Sequence, residues 1–128
     1  MNEEDNWIDL ALGPMPIAAV LKCLGLKLLP GEVMFYAHAQ RHTFKGKPER
    51  NICIPHLATV VANPTHVGQQ PGYEADSIHL ICAIPGGPIV LAGISMKIKK
   101  GLYPMKSVYP LRAATLKNRV EGGTTILI

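Results

Sequence analysis

Ile78-His79-Leu80-Ile81-Cys82-Ala83-Ile84, the turn Pro85-Gly86-Gly87-Pro88, and Ile89-Val90-Leu91-Ala92-Gly93-Ile94-Ser95-Met96-Lys97-Ile98 make up the stretch that decides the fold. Ile78, Leu80, Cys82 and Ile84 alternate with His79, Ile81 and Ala83, an apolar period of two. That period, a Pro/Gly turn and a second run rich in β-branched residues predict an antiparallel hairpin.

Toward the C-terminus, Lys99-Lys100-Gly101 turns the chain and Tyr103–Tyr109 reads as a third strand, with a bulge expected at Pro104. Regular alternation along it places Tyr103, Met105, Ser107 and Tyr109 on one face and Lys106 and Val108 on the other. Ala113, Leu116 and Val120 give Leu111–Glu121 a helical stripe stopped by Gly122-Gly123, and Thr124–Ile128 suits a short edge strand.

Toward the N-terminus the period becomes helical. Ile17, Val20, Leu21 and Leu24 recur at i, i+3, i+4 and i+7, with Pro16 at the start and Gly25 at the end. Trp7, Leu10 and Ala11 are spaced as one turn of helix before Gly13-Pro14, and Met1–Asn6 is expected to fray. Val33-Met34-Phe35 begins a strand, Tyr36–Lys45 reads as a helix ending at Gly46, and Pro55–Val61 as a short helix stopped by Asn63-Pro64. Thr65–Asp76, rich in Gly, Gln and Pro, reads as loop. The fold class is α+β: N-terminal helices packed on a small, mainly antiparallel sheet of three to four strands, with a C-terminal helix. No linker or repeat divides the chain, so residues 1–128 are read as one domain, a length that buries a core without disulfides or metal.

Composition narrows the function. An aromatic fraction of 5% argues against a platform that stacks several bases of a single strand. The net charge of +4 is unevenly spread: residues 1–40 sum to −3 and residues 41–128 to +7. A basic body suits a polyanionic partner, although it also fits a merely soluble surface. Cys23, Cys53 and Cys82 are odd in number and set in apolar sequence, which reads as buried free thiols and a reducing compartment. The acidic N-terminus is unlike a signal peptide, and the apolar run Ile89–Met96 is too short to span a bilayer, so no membrane partner is expected.

The chemistry concentrates in Tyr36-Ala37-His38-Ala39-Gln40-Arg41-His42-Thr43-Phe44-Lys45-Gly46-Lys47-Pro48. His38 and His42 are four apart, so on a helix they share a face, beside Arg41 and Lys45. Imidazoles move protons near neutral pH, and neighbouring cations hold phosphate. A lone histidine is more often structural than catalytic, but His42 lies among Arg41, Lys45 and Lys47. His38 has the simpler alternative of a hydrogen bond across the helix turn. His56, His66 and His79 lack ligand-spaced carboxylates or thiolates, and the His38/His42 pair lacks the glutamate of a His-Glu-x-x-His site, so no metal or other cofactor is expected.

In order and spacing, several phrases resemble one family. Ala39-Gln40-Arg41-His42 is followed by Ile54-Pro55-His56-Leu57, by Asn63-Pro64-Thr65-His66-Val67-Gly68-Gln69, by the hairpin, and by Tyr103-Pro104-Met105-Lys106-Ser107-Val108-Tyr109-Pro110-Leu111. From about residue 31 to 121 the chain resembles the phage-type branch of the barnase, EndoU, colicin and RelE-like (BECR-fold) nucleases. The resemblance implies a helical part on a four-stranded antiparallel sheet and metal-independent endoribonuclease activity leaving a 2′,3′-cyclic phosphate. It further implies a toxin acting on RNA in a bacterial cytoplasm, free-standing or as the C-terminal part of a secreted protein, and blocked by an immunity protein.

Carried onto this chain, the matching positions are His42, Ser107 and Tyr109. Where the family often has a second His before Pro, this chain has Lys47 before Pro48. A two-histidine scheme then requires His38. On this reading His42 is general acid or base, with His38 as its possible second; Arg41 and Lys47 stabilise the phosphorane, and Ser107 and Tyr109 bind or orient the scissile phosphate. Lys45 and Lys106 contact the RNA backbone, the case for Lys106 being poorer because it faces away. The alternatives are that Tyr109 is a core ring with its hydroxyl at the rim, and that the whole chain is an inactive nuclease-like module binding RNA or a protein.

Overall fold

The computed structural model describes residues 7–128, so the fraying expected of Met1–Asn6 lies outside the described residues. In chain order the elements are β1 (Leu10–Pro14), α1 (Ile17–Leu24), β2 (Glu32–Phe35), α2 (Ala37–Phe44), a 3-10 helix (Pro48–His56), α3 (Leu57–Ala62), β3 (His66–Gly68), β4 (Ser77–Ala83), β5 (Ile89–Ser95), β6 (Leu102–Leu111), α4 (Ala113–Glu121) and β7 (Thr125–Leu127). The class is α+β. One sheet runs in the order β1-β2-β6-β5-β4-β3-β7. Its β2–β6 pair is parallel and its other neighbours are antiparallel.

The hairpin expected from the period of two is the centre of the sheet. Its register sets Ile78 against Ile94, Leu80 against Ala92 and Cys82 against Val90, so each apolar set meets another across the ladder. Those six side chains join Val20 of α1, Phe44 of α2, Cys53 of the 3-10 helix and Leu57, Val60 and Val61 of α3 in one core. Helices α1 to α3 therefore cover one face. Ile81 and Leu91, which alternation puts on the other face, are also fully buried. On that side lies α4, whose Arg119 reaches His79.

The sheet has seven strands, not three to four, and strands precede and separate the N-terminal helices. The additional strands are short, and pairing with distant residues extends them. Trp7–Leu12 is not a turn of helix: Leu10 and Ala11 pair with Phe35 and Met34, and Pro14 is tolerated because β1 is an edge. Within the expected loop Thr65–Asp76, His66–Gly68 pairs with β4 on one side and β7 on the other, Val67 lying between Leu80 and Ile126. Nor is the sheet the four-stranded one implied by the nuclease resemblance.

The bulge lies at Lys106 rather than at Pro104. Gly93 is opposite Ser107 and Ile94 is opposite Met105, which leaves Lys106 as the extra residue. A bulge shifts the alternation by one. Tyr103, Met105 and Val108 consequently share the core face, each at most 1% exposed. Ser107 and Tyr109 turn to the opposite face, away from Tyr103 and Met105.

Candidate functional site

Helix α2 is fixed from its inner side. The Gln40 side chain, 4% exposed, donates through Nε2 to the carbonyl oxygens of Ile8 and Phe35, the latter at 2.8 Å. Phe44 stacks on Trp7 with ring centres 5.7 Å apart and lies against Phe35. The Ala37 N–H, one of the donors that a helix start leaves without an internal partner, donates to Asp9 Oδ1 at 2.7 Å. With Gln40, Thr43 and Phe44 buried, the helical period leaves His38, Arg41, His42 and Lys45 exposed on the outside.

These four side chains and Lys47 line one open cavity of about 380 Å³. Beyond the helix end, Lys47 Nζ donates to the His42 carbonyl oxygen at 3.1 Å, satisfying one of the acceptors that a helix C-terminus leaves open. The His38 ring stacks on Tyr36 at 5.9 Å and 15°. Three cationic side chains and two imidazoles face the same space, and among the described residues no carboxylate joins the lining.

Ser107, Tyr109 and Lys106 are outside that lining. Tyr109 is connected to α2 through Arg50, whose guanidinium carbon lies 5.3 Å from the ring centre and whose Nη1 donates to the Thr43 carbonyl at 3.3 Å. In the sequence Arg50 stands out only as a cation three residues after Lys47. Lys106 is exposed, and its carbonyl oxygen faces the Thr43 hydroxyl at 3.5 Å. Ser107 lies beside Gly93 with His79 across β5: a Cβ on Gly93 would come 3.2 Å from Ser107 Oγ and 3.9 Å from His79 Cδ2. Its side-chain neighbours are on the face opposite the core.

His79 is 6% exposed and accepts through Nδ1 from Arg119 Nη1 at 3.2 Å, so its proton sits on Nε2. Burial, with the Arg119 charge adding to it, pushes its pKa down to about 4. His66 Nδ1 lies 2.8 Å from Thr65 Oγ1, and burial lowers its pKa as well. Among the described residues no three His, Cys, Asp or Glu side chains gather as metal ligands. The three cysteines are free, and burial raises the Cys53 thiol to about 11 against the opposing effect of Arg50. Among the same residues no helix is long and apolar enough to cross a membrane.

No protein-family model matches the chain, and neither does any curated protein or solved structure.

Proposed function

We propose that the chain is a metal-independent endoribonuclease whose reaction is carried by the outer face of α2. The observation behind this reading is the cavity in which two imidazoles one helical turn apart share a wall with Arg41, Lys45 and Lys47. Side chains four apart on a helix have Cβ atoms about 6 Å apart, within reach of two oxygens on a single phosphodiester. One neutral imidazole takes the proton of the ribose 2′-OH as that oxygen attacks phosphorus. The other, protonated, gives its proton to the 5′-oxygen as the P–O5′ bond breaks. Arg41 and Lys47 offset the extra negative charge on the phosphorane, and Lys45 holds the flanking backbone. The products are a 2′,3′-cyclic phosphate and a 5′-hydroxyl.

The test is incubation of the purified chain with bacterial RNA in excess EDTA, with the cut ends mapped. Cyclic-phosphate and 5′-hydroxyl termini are the expected result. His42→Ala abolishes cleavage while the melting temperature stays nearly unchanged, since His42 is exposed; a fully active variant would remove His42 from the mechanism. The toxin role and the immunity protein are part of the same proposal: an acidic partner seated on this cavity would block it.

A second reading is favoured by one observation, that Ser107 and Tyr109 do not line the cavity. It makes the chain a module that binds RNA without cutting it. Salt-sensitive RNA binding with intact strands would support that reading, and absence of RNA affinity at low salt would sink both.

A further inference from the structure

A second concavity lies on the other side of the sheet, between α4 and the segment that follows β3. Its volume is about 370 Å³, and its wall includes Gln69, Gln70, Thr115, Asn118, Arg119 and Thr124. Among the described residues, no acidic side chain belongs to the lining. Arg119 is half-buried, and its Nη1 is hydrogen-bonded to His79, which accepts as a neutral ring. The cation therefore borders an open concavity whose described lining holds no counter-charge, an arrangement that an anionic group completes.

The rest of the wall is neutral and mixed in hydrogen-bonding character. Gln69 spends both N–H bonds of its amide on the carbonyl oxygens of Glu74 at 2.7 Å and Ser77 at 3.2 Å, so only its oxygen can serve a ligand, as an acceptor. Thr124 donates its hydroxyl to the Arg119 carbonyl at 3.2 Å and likewise has lone pairs to offer. Gln70 and Asn118 each carry a donor and an acceptor on one planar group, the pattern that matches the edge of a nucleobase. Glu74, nearby in the chain, is engaged by the Gly72 N–H at 2.7 and 3.0 Å. The volume lies in the range of small-molecule sites and fits one nucleotide.

We propose that this cavity binds a single phosphate-bearing nucleotide, with the phosphate on Arg119 and the base edge on the amides of Gln70 and Asn118. The site is separate from the α2 cavity and does not depend on cleavage there. Because its two parts read different chemistry, a free nucleotide and a nucleotide at the end of an RNA strand are both possible occupants.

The experiment is a titration of the isotopically labelled full chain, in EDTA, with the four nucleoside 5′-monophosphates, inorganic phosphate and a 5′-phosphorylated dinucleotide, followed by amide shifts. Saturable shifts at Thr115, Asn118, Arg119 and Thr124 with at least one monophosphate are expected, and inorganic phosphate should bind ~10-fold more weakly or worse. Arg119→Gln should weaken binding ~10-fold or more. Asn118→Asp, at an exposed position where folding is not at risk, places a carboxylate beside Arg119 and should do the same. His42→Ala should leave the affinity unchanged. The dinucleotide arm separates the sources: tighter binding than the monophosphates assigns the site to RNA ends, and equal binding to free nucleotides. Equal affinity for inorganic phosphate, binding indifferent to both Arg119→Gln and Asn118→Asp, or no shift in this region at millimolar ligand would each overturn the proposal.

Discussion

Replacing His79 with Gln keeps an acceptor for Arg119 and removes the titrating ring, which makes a direct test of the buried pair. In the folded chain His79 stays neutral down to about pH 4, against an ordinary value of 6.5. Between those values the unfolded chain binds a proton that the folded chain refuses, so stability rises with pH there and is lost as pH falls. At 1.36 kcal/mol per pH unit the gap amounts to roughly 3 kcal/mol, a large part of the 5–15 kcal/mol typical of a domain. Urea unfolding of wild type and His79→Gln from pH 7.5 to 4 reads this directly, because the carboxylates common to both chains cancel in the difference. The stability of wild type relative to the variant should fall by about 3 kcal/mol, mostly between pH 6.5 and 4. Parallel curves would refute the assignment. Burial is the larger cause and Arg119 the smaller, so Arg119→Gln should narrow the pH window and lessen the total loss without removing it.

Two further outcomes test the frame around the sites. In Gly68→Ala, the new Cβ would lie 2.6 Å from both the Thr124 carbonyl oxygen and Thr125 Oγ1. Backbone on one side cannot yield cheaply, so the change should cost roughly 1–3 kcal/mol and raise hydrogen exchange at Thr125–Leu127 as β7 leaves β3; an unchanged melting temperature would mean that the strands are not this close. Asp9→Ala removes the acceptor of the Ala37 N–H and should cost about 1 kcal/mol. Under the proposed function it also slows RNA cleavage without changing the cut ends, and a variant cleaving at the wild-type rate would show that the start of α2 does not position His38.

What the sequence carried plainly was whatever short-range periodicity encodes. The hairpin at residues 77–95 is a self-contained signal, since only residues 84–88, a Pro/Gly turn, separate its two strands and both repeat with period two. α1 and α2 were equally readable, the first from its stripe and the second from an unbroken run before Gly46. The cavity on α2 followed from the same local information: His38, Arg41, His42 and Lys45 share an outer face by helical period alone, and the chain turns Lys47 back to the His42 carbonyl within five residues. β1 and β3 were not readable because five and three residues hold too few alternations to outweigh a chance helical spacing at Trp7, Leu10 and Ala11, or the turn-like composition after Asn63. Their extension comes from partners more than ten residues away. The parallel pairing of β2 with β6 spans about seventy residues of chain and leaves no local trace at all.

The single inserted residue at Lys106 changes the candidate site most. Alternation propagates from the buried Tyr103, so an unbroken strand would have set Ser107 and Tyr109 beside Met105 in the core; one extra residue sends both to the face shared with His79 and Gly93. The insertion fits the surrounding chain, because β2 ends at Phe35 and α2 takes its place beside the second half of β6, where the Thr43 hydroxyl lies 3.5 Å from the carbonyl of the bulged residue. The strand residues implied by the nuclease resemblance are thereby divided from its histidine: His42 faces the basic cavity, Ser107 faces the His79 side, and Arg50 joins Tyr109 to α2. Any chemistry at the cavity must then be carried by groups within ten residues of one another on α2 and its exit turn. Under the proposed function, a two-group acid–base reaction with His42 would accordingly depend on His38 rather than Ser107.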